Sequence, residues 1–147
     1  MRTRRLAEET VSDGTYLEIE RFYSRHLQLL DAGEAEAWAE TFTEDGTFAV
    51  PTLPEPTRGR AALIAAVRRT RAELAEKGEK HRHWHGMITV DDRPDGALDV
   101  VCYALVFASP EGGPSRLHRV CVCRDVLVRE DGALRVRDRF VTRDDLA

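Results

Sequence analysis

The chain has 147 residues, 42% of them hydrophobic and 33% charged, with 22 basic against 26 acidic side chains for a net charge of −4. A chain of this length buries roughly two-thirds of its unfolded surface, so its core needs neither disulfides nor a structural metal, and the composition excludes collagen-like and low-complexity classes. The acidic balance argues against a nucleic-acid partner, and no apolar run approaches the ~20 residues of a membrane span.

The basic stretch around Arg2, Arg4 and Arg5 has no apolar segment behind it, so no signal peptide is expected. These readings predict one domain over 1–147, soluble and cytoplasmic, with no nucleic-acid or membrane partner. The three cysteines, Cys102, Cys121 and Cys123, are an odd set expected to be free thiols. Cys121 and Cys123 share a strand face and read as packing residues.

Helices come first along the chain. Tyr16, Ile19, Tyr23, Leu27 and Leu30 recur at three- and four-residue steps, which predicts a helix over 15–30 with His26 on the same stripe. Ser12 and Asp13 are its candidate caps, and Gly33 its terminator. A short helix over 34–42 is expected to turn Trp38 and Phe42 inward. Asp45-Gly46 reads as a turn and 47–50 as a short strand, and Pro51, Pro54 and Pro56 mark a loop. A third helix is predicted over 60–77, with Leu63, Val67, Thr70 and Leu74 on one side and Gly78 as its stop.

From residue 81 the period becomes twofold. Runs at 81–90, 97–109, 115–129 and 133–142, separated by Gly-containing turns, read as an antiparallel meander. Helices segregated ahead of such a sheet predict an α+β domain, and a curved sheet covered by helices leaves a concave ligand site.

Few ionisable groups fall at inward positions. Strand alternation puts His81, His83, His85, Met87 and Thr89 on one face, so three of the five histidines share it. A metal site on that face needs further ligands. His118 is the sole histidine on a later strand, and no glutamate lies inside the four runs, so no metal or cofactor is expected. Proton transfer by an imidazole oriented by a carboxylate is the chemistry favoured instead. The carboxylate candidates are Asp31, at the end of the first helix, and Asp125, which interrupts the apolar run 120–128. Asp125 is expected to pair with Arg139 or Arg137, and Asp45 to serve its turn.

The segment from Phe22 to Phe48, including His26, Asp31, Trp38, Phe42 and Asp45, resembles the opening of the nuclear transport factor 2-like superfamily. More narrowly it is similar to the SnoaL-like group of polyketide cyclases, scytalone dehydratase and ring-hydroxylating dioxygenase β subunits. The run from Cys123 to Arg139 resembles that group's closing hairpin.

The resemblance implies a cone-shaped curved antiparallel sheet wrapped around three N-terminal helices, an internal pocket, and a homodimer formed through the sheet. It implies that His83 opens the catalytic strand, that Asp31 partners it, and that His26 takes the place of a hydrogen-bonding aromatic. It gives Arg139 the position that holds an anionic or carbonyl group. Tyr23, Trp38, His85, Tyr103 and His118 complete the expected contacts to a small-molecule substrate. Two positions depart from the group: the dehydratases' second acid/base would fall near 106–110, where Val106 to Pro110 stand, and the isomerases' aspartate is replaced by Val50. The expected function is a cofactor-free acid/base enzyme, a dehydratase, cyclase or isomerase acting on a polyketide-like or aromatic carbonyl compound. The alternative is a non-catalytic ligand-binding or β-subunit-like assembly protein. Such subunits typically carry an extended N-terminal arm, against about ten residues here before the first predicted helix.

Overall fold

The computed structural model describes residues 11–146. The N-terminal ten residues, where no signal peptide was expected, and Ala147 lie outside the described residues. Helix α1 spans Asp13–Asp31 and starts at Ser12, whose Oγ accepts from the Thr15 amide at 3.1 Å. Its stripe of Ile19, Tyr23, His26 and Leu27 is buried, as the period required. Gly33 follows at φ +75°, a conformation that costs a residue with a Cβ 1–2 kcal/mol or so, and turns the chain back into α2, Ala35–Ala39.

Strand β1, Phe42–Ala49, begins where the short helix was expected to continue. The cause is tertiary: the Thr41 carbonyl accepts the Val136 amide at 2.8 Å, so the sheet captures the chain there. Asp45-Gly46 lies in an irregular stretch of β1, because Phe42 faces Val136 while Thr47 already faces Asp138. A two-residue strand, β2 (Thr57–Arg58), follows the prolines and was not anticipated. Helix α3, Arg60–Lys77, ends at Gly78 in the left-handed conformation. It buries Leu63 and Val67; Leu74 is half-buried, and Thr70, expected on the same side, is exposed.

Strands β3 (Glu79–Asp92), β4 (Leu98–Pro110), β5 (Arg116–Glu130) and β6 (Ala133–Arg143) form the expected meander. A short 3₁₀ turn, Asp144–Leu146, follows. The sheet order is β2-β1-β6-β5-β4-β3, antiparallel except at β1–β6, which is parallel. The architecture is α+β, with a mixed, curved, six-stranded open sheet and the helices on its concave side. Ile19, Tyr23, Trp38, Phe42, Leu63, Val100, Cys102, Cys123 and Leu127 make the core between the layers.

One register change redistributes the histidine face. Gly86 pairs with Tyr103 but Thr89 with Val101, so β3 carries one extra residue, and Met87 takes φ +52° there. This bulge reverses the alternation. His81, His83 and His85 remain on the concave side, but Met87 and Thr89 turn to solvent while Ile88 and Val90 are buried. Gly86 also has a packing reason: the Trp84 ring folds over it and fills the place where a Cβ would stand.

Candidate active site

A cavity of about 230 Å³ opens between α1, the segment after β1 and the concave face of β3–β6. Its walls are Leu27 and Leu30 from α1, Phe48, Val50, Pro51 and Thr52, and His83, His85, Ala104, Val106, Arg119, Cys121, Arg139, Val141 and Arg143 from the sheet. A larger depression lies on the outer side of α1, but residues of that one helix line it and no other element faces them.

The end of α1 meets β3 at this cavity. Asp31 Oδ1 lies 2.6 Å from His83 Nδ1, and Asp31 Oδ2 accepts the His83 backbone amide at 3.0 Å. One carboxylate thus binds the strand and the ring together. In the neutral imidazole it fixes the proton on Nδ1 and leaves the Nε2 lone pair as the basic position. The Asp31 side chain is 8% exposed and that of His83 25%, so the pair is shielded yet reachable.

Deeper in the sheet lies a second constellation. Asp125 accepts two bonds from Arg139, Nε to Oδ1 and Nη2 to Oδ2, both at 2.9 Å. Tyr23 Oη donates to Oδ2 at 2.7 Å, and Cys123 Sγ to Oδ1 at 3.3 Å. Asp125 therefore chooses Arg139; Arg137 pairs instead with Asp138 at 3.1 Å. Burial alone would raise the Asp125 carboxyl, but the Arg139 charge and the bonds from Arg139, Tyr23 and Cys123 outweigh it and hold it low. Burial, then the Asp125 charge, push the Tyr23 hydroxyl well up, so it stays a donor. Arg139 lies over the Phe42 and Phe48 rings, 5.5 Å from each centroid, and its Nη1 is the guanidinium nitrogen that Asp125 does not use.

His85 lines the cavity between the two constellations, and burial followed by the Arg139 charge lowers its pKa to about 3. It is a neutral ring at neutral pH. His26, expected to reach the substrate, lies off the cavity wall. The Thr41 hydroxyl donates to the Trp38 carbonyl at 2.5 Å, so its oxygen accepts from His26 Nδ1 at 2.6 Å. His26 Nε2 is buried with no partner among the described residues, and burial, then Arg139, hold the ring's pKa well below the usual range.

Trp38 is likewise a core residue, stacked on His26 at 5.7 Å, and Tyr23 acts from beneath the cavity wall. Tyr103 is 54% exposed on the convex face of the sheet, since it pairs with Gly86 and not with an inward residue. His118 is exposed at an extra residue of β5 between Leu117 and Arg119, with its ring 4.9 Å from His81. Neither is a cavity residue. Val50 and Val106, the two positions that depart from the acid/base pattern of the resembled group, both line the cavity as apolar wall.

The residues that sequence reasoning missed are Thr41, Arg119, Cys121 and Arg143. Arg119, Cys121, Cys123 and Asp125 alternate along β5, so twofold periodicity could have found that face. The link between Thr41 and His26 had no local signal. Among the described residues one set of donor atoms is close enough for a metal: His85, Cys102 and Cys123, within 4.8 Å of one another. The Cys123 thiol is pushed well above its usual pKa, first by its bond with Cys102 and then by burial, which keeps it protonated. The set as folded packs a neutral imidazole and a protonated Cys123 thiol into the core.

The site belongs to a fold class with known relatives. The SnoaL-like domain model matches residues 14–140, and the chain belongs to that family. The family includes polyketide cyclases and dehydratases, and also dioxygenase β subunits.

Among solved structures the chain is similar to Aln2 from a Streptomyces species, at 32% identity and a TM-score of 0.85 over 92% of this chain and 95% of that one. It is similar to ActVI-ORFA from Streptomyces coelicolor, at 32% identity and 0.83 over 90% and 98%. A Catenulispora acidiphila protein solved in complex with S-DNPA matches at 32% identity and 0.80, over 92% and 97%. Of curated proteins, the anthranilate 1,2-dioxygenase small subunit of Burkholderia cepacia is 26% identical over 143 residues, covering 88% of this chain and 87% of that protein. No described helix is long and apolar enough to cross a membrane.

Proposed function

We propose that the chain is a single-domain, cofactor-free acid/base enzyme that dehydrates or cyclises a small aromatic or polyketide-like carbonyl compound. The observation that carries this reading is the double grip of Asp31 on His83, through ring and backbone, at the wall of a cavity. His83 Nε2 removes a proton α to the substrate carbonyl, and the electron pair moves onto the carbonyl oxygen. Arg139, through Nη1, and neutral His85 face that developing charge. Collapse of the enolate expels a β-hydroxyl, and the His83 imidazolium returns its proton to that leaving group, so water departs and the base is regenerated. One residue acting as base and then acid removes the need for a second group at 106–110.

The chain is further proposed to act as a homodimer through the convex face of the sheet. There Trp84, Leu105 and Val120 form one cross-strand row and Phe107 and Leu117 the next. Trp84, Phe107, Leu117 and Val120 are all exposed there, more apolar surface than isolated side chains explain. The similarity to a dioxygenase small subunit supports a second reading, in which that face docks a different subunit and no chemistry takes place.

The test is conversion of β-hydroxy ketones fused to an aromatic ring, followed by the absorbance of the conjugated product. His83→Ala is expected to lower kcat at least about 100-fold, and Asp31→Asn about 10- to 100-fold, with the fold intact by circular dichroism. Undiminished turnover by folded His83→Ala refutes the acid/base reading. Size-exclusion with light scattering separates a self-contained dimer from a mixed complex.

A further inference from the structure

We infer that the cavity takes a planar ligand bearing a carboxylate, which Arg119 and Arg143 hold at the mouth. The inference rests on the acid/base reading in that it names the substrate class of the same site.

The sheet register places the two arginines. His83, Val106 and Arg119 are successive cross-strand partners on β3, β4 and β5, and His85, Ala104, Cys121 and Arg143 form the next row across to β6. With neighbouring strands about 4.8 Å apart, the Arg119 backbone stands roughly 10 Å from that of His83, on the same concave face. Arg143 is diagonal to Arg119, one strand over. Arg139 lies four residues before Arg143 on β6, about 13 Å deeper along the strand.

The charge distribution is uneven. Arg119, Arg139 and Arg143 line the cavity, and none of its lining residues is acidic. Asp125 occupies Arg139 from behind the wall, and Asp31 occupies His83. Arg143 binds Asp145 through Nε and Nη2, but that aspartate is 61% exposed, and a solvent-facing pair of this kind is weak and readily shared. Arg119 meets the His118 ring through Nε at 3.2 Å and makes no salt bridge with a carboxylate among the described residues. The mouth therefore presents cationic charge against apolar walls of Leu27, Leu30, Val106 and Val141, where field lines are focused and an entering anion is favoured. Guanidinium groups match a carboxylate in a planar, bidentate way, which fixes ring orientation as well as charge. A carboxylate seated there leaves about a two-ring length to Arg139.

The probe pair is 2-naphthoate and 2-naphthamide, alike in shape and different in charge, titrated by calorimetry against the full chain. Naphthoate is expected to bind at least about 10-fold more tightly than naphthamide. Arg119→Gln and Arg143→Gln are each expected to weaken naphthoate about 5- to 10-fold and to leave naphthamide unchanged. Arg82→Gln removes the same charge from the opposite face of β3 and is expected to change neither. Equal affinity for the two probes, an equal loss in Arg82→Gln, or no saturable naphthoate binding by the folded wild type overturns the inference. The outcome is separable from the acid/base reading: His83→Ala is expected to bind naphthoate within about twofold of wild type while losing turnover. A cavity without chemistry leaves this order of affinities standing, and an active enzyme with no preference for the anion loses only the carboxylate subsite.

Discussion

Replacing Asp125 by asparagine tests how the sheet side of the cavity is held. The substitution keeps the shape but leaves Arg139 charged, buried and facing an amide that can offer one acceptor oxygen in place of two. The Asp125 side chain is 0% exposed and that of Arg139 2%, so water cannot take over. Removing one partner of such a pair costs about 3–5 kcal/mol, largely the penalty of the orphaned charge. The bonds from Tyr23 and Cys123 converge on the same carboxylate and lose geometry with it. Against a total stability of about 5–15 kcal/mol, this is about a fifth or more of what holds the chain folded.

At about 2–4 °C per kcal/mol for a chain of this size, the thermal midpoint is expected to fall by roughly 6–20 °C. Thermal unfolding for the midpoint and urea unfolding for the free energy, both at one fixed protein concentration, are the assays, because any self-association makes the midpoint concentration-dependent. The double variant Asp125→Leu/Arg139→Met removes both charges and is expected to return to within about 2 kcal/mol of wild type. A loss under about 1 kcal/mol for Asp125→Asn, or a double variant no more stable than the single one, refutes the argument that an unpaired guanidinium is the cost.

Two further outcomes follow from buried or strained groups. His85, with a pKa of about 3, and His26, also lowered, bind fewer protons folded than unfolded below pH ~6.5, so stability is expected to fall as pH drops. His85 alone contributes about 2 kcal/mol of loss by pH 5, and His26 adds in the same direction; a urea midpoint that is flat or rises from pH 7.5 to 5 contradicts this. Met87 holds φ +52° at the β3 bulge with its side chain 73% exposed, so Met87→Gly is expected to gain up to about 1 kcal/mol, and a lower urea midpoint refutes the strain.

Several parts of the molecule were legible without any contact being known. The apolar steps from Tyr16 to Leu30 specify α1, Gly78 stops α3, and twofold alternation marks four long strands, because each depends on sterics and burial within a few neighbouring residues. The helix end at Asp31 and the strand opening at His83 were locatable in the same way, and the family resemblance joined them. Tertiary pairing decided the rest. Phe42 reads as the end of a helix until the Thr41 carbonyl is taken by Val136, and β1 becomes parallel because its neighbour is β6, almost a hundred residues later. The face of Met87 and Thr89 depends on one extra residue between the pairings to Tyr103 and Val101, a register that β3 alone does not encode. Tyr103 and His118 look like cavity residues in a list of aromatics, yet strand register turns both away from it. Arg119 and Arg143 gain their place at the mouth because adjacent strands bring them beside Val106 and Cys121. Local periodicity says that a side chain is inward; only the register between distant strands says which other side chains it meets.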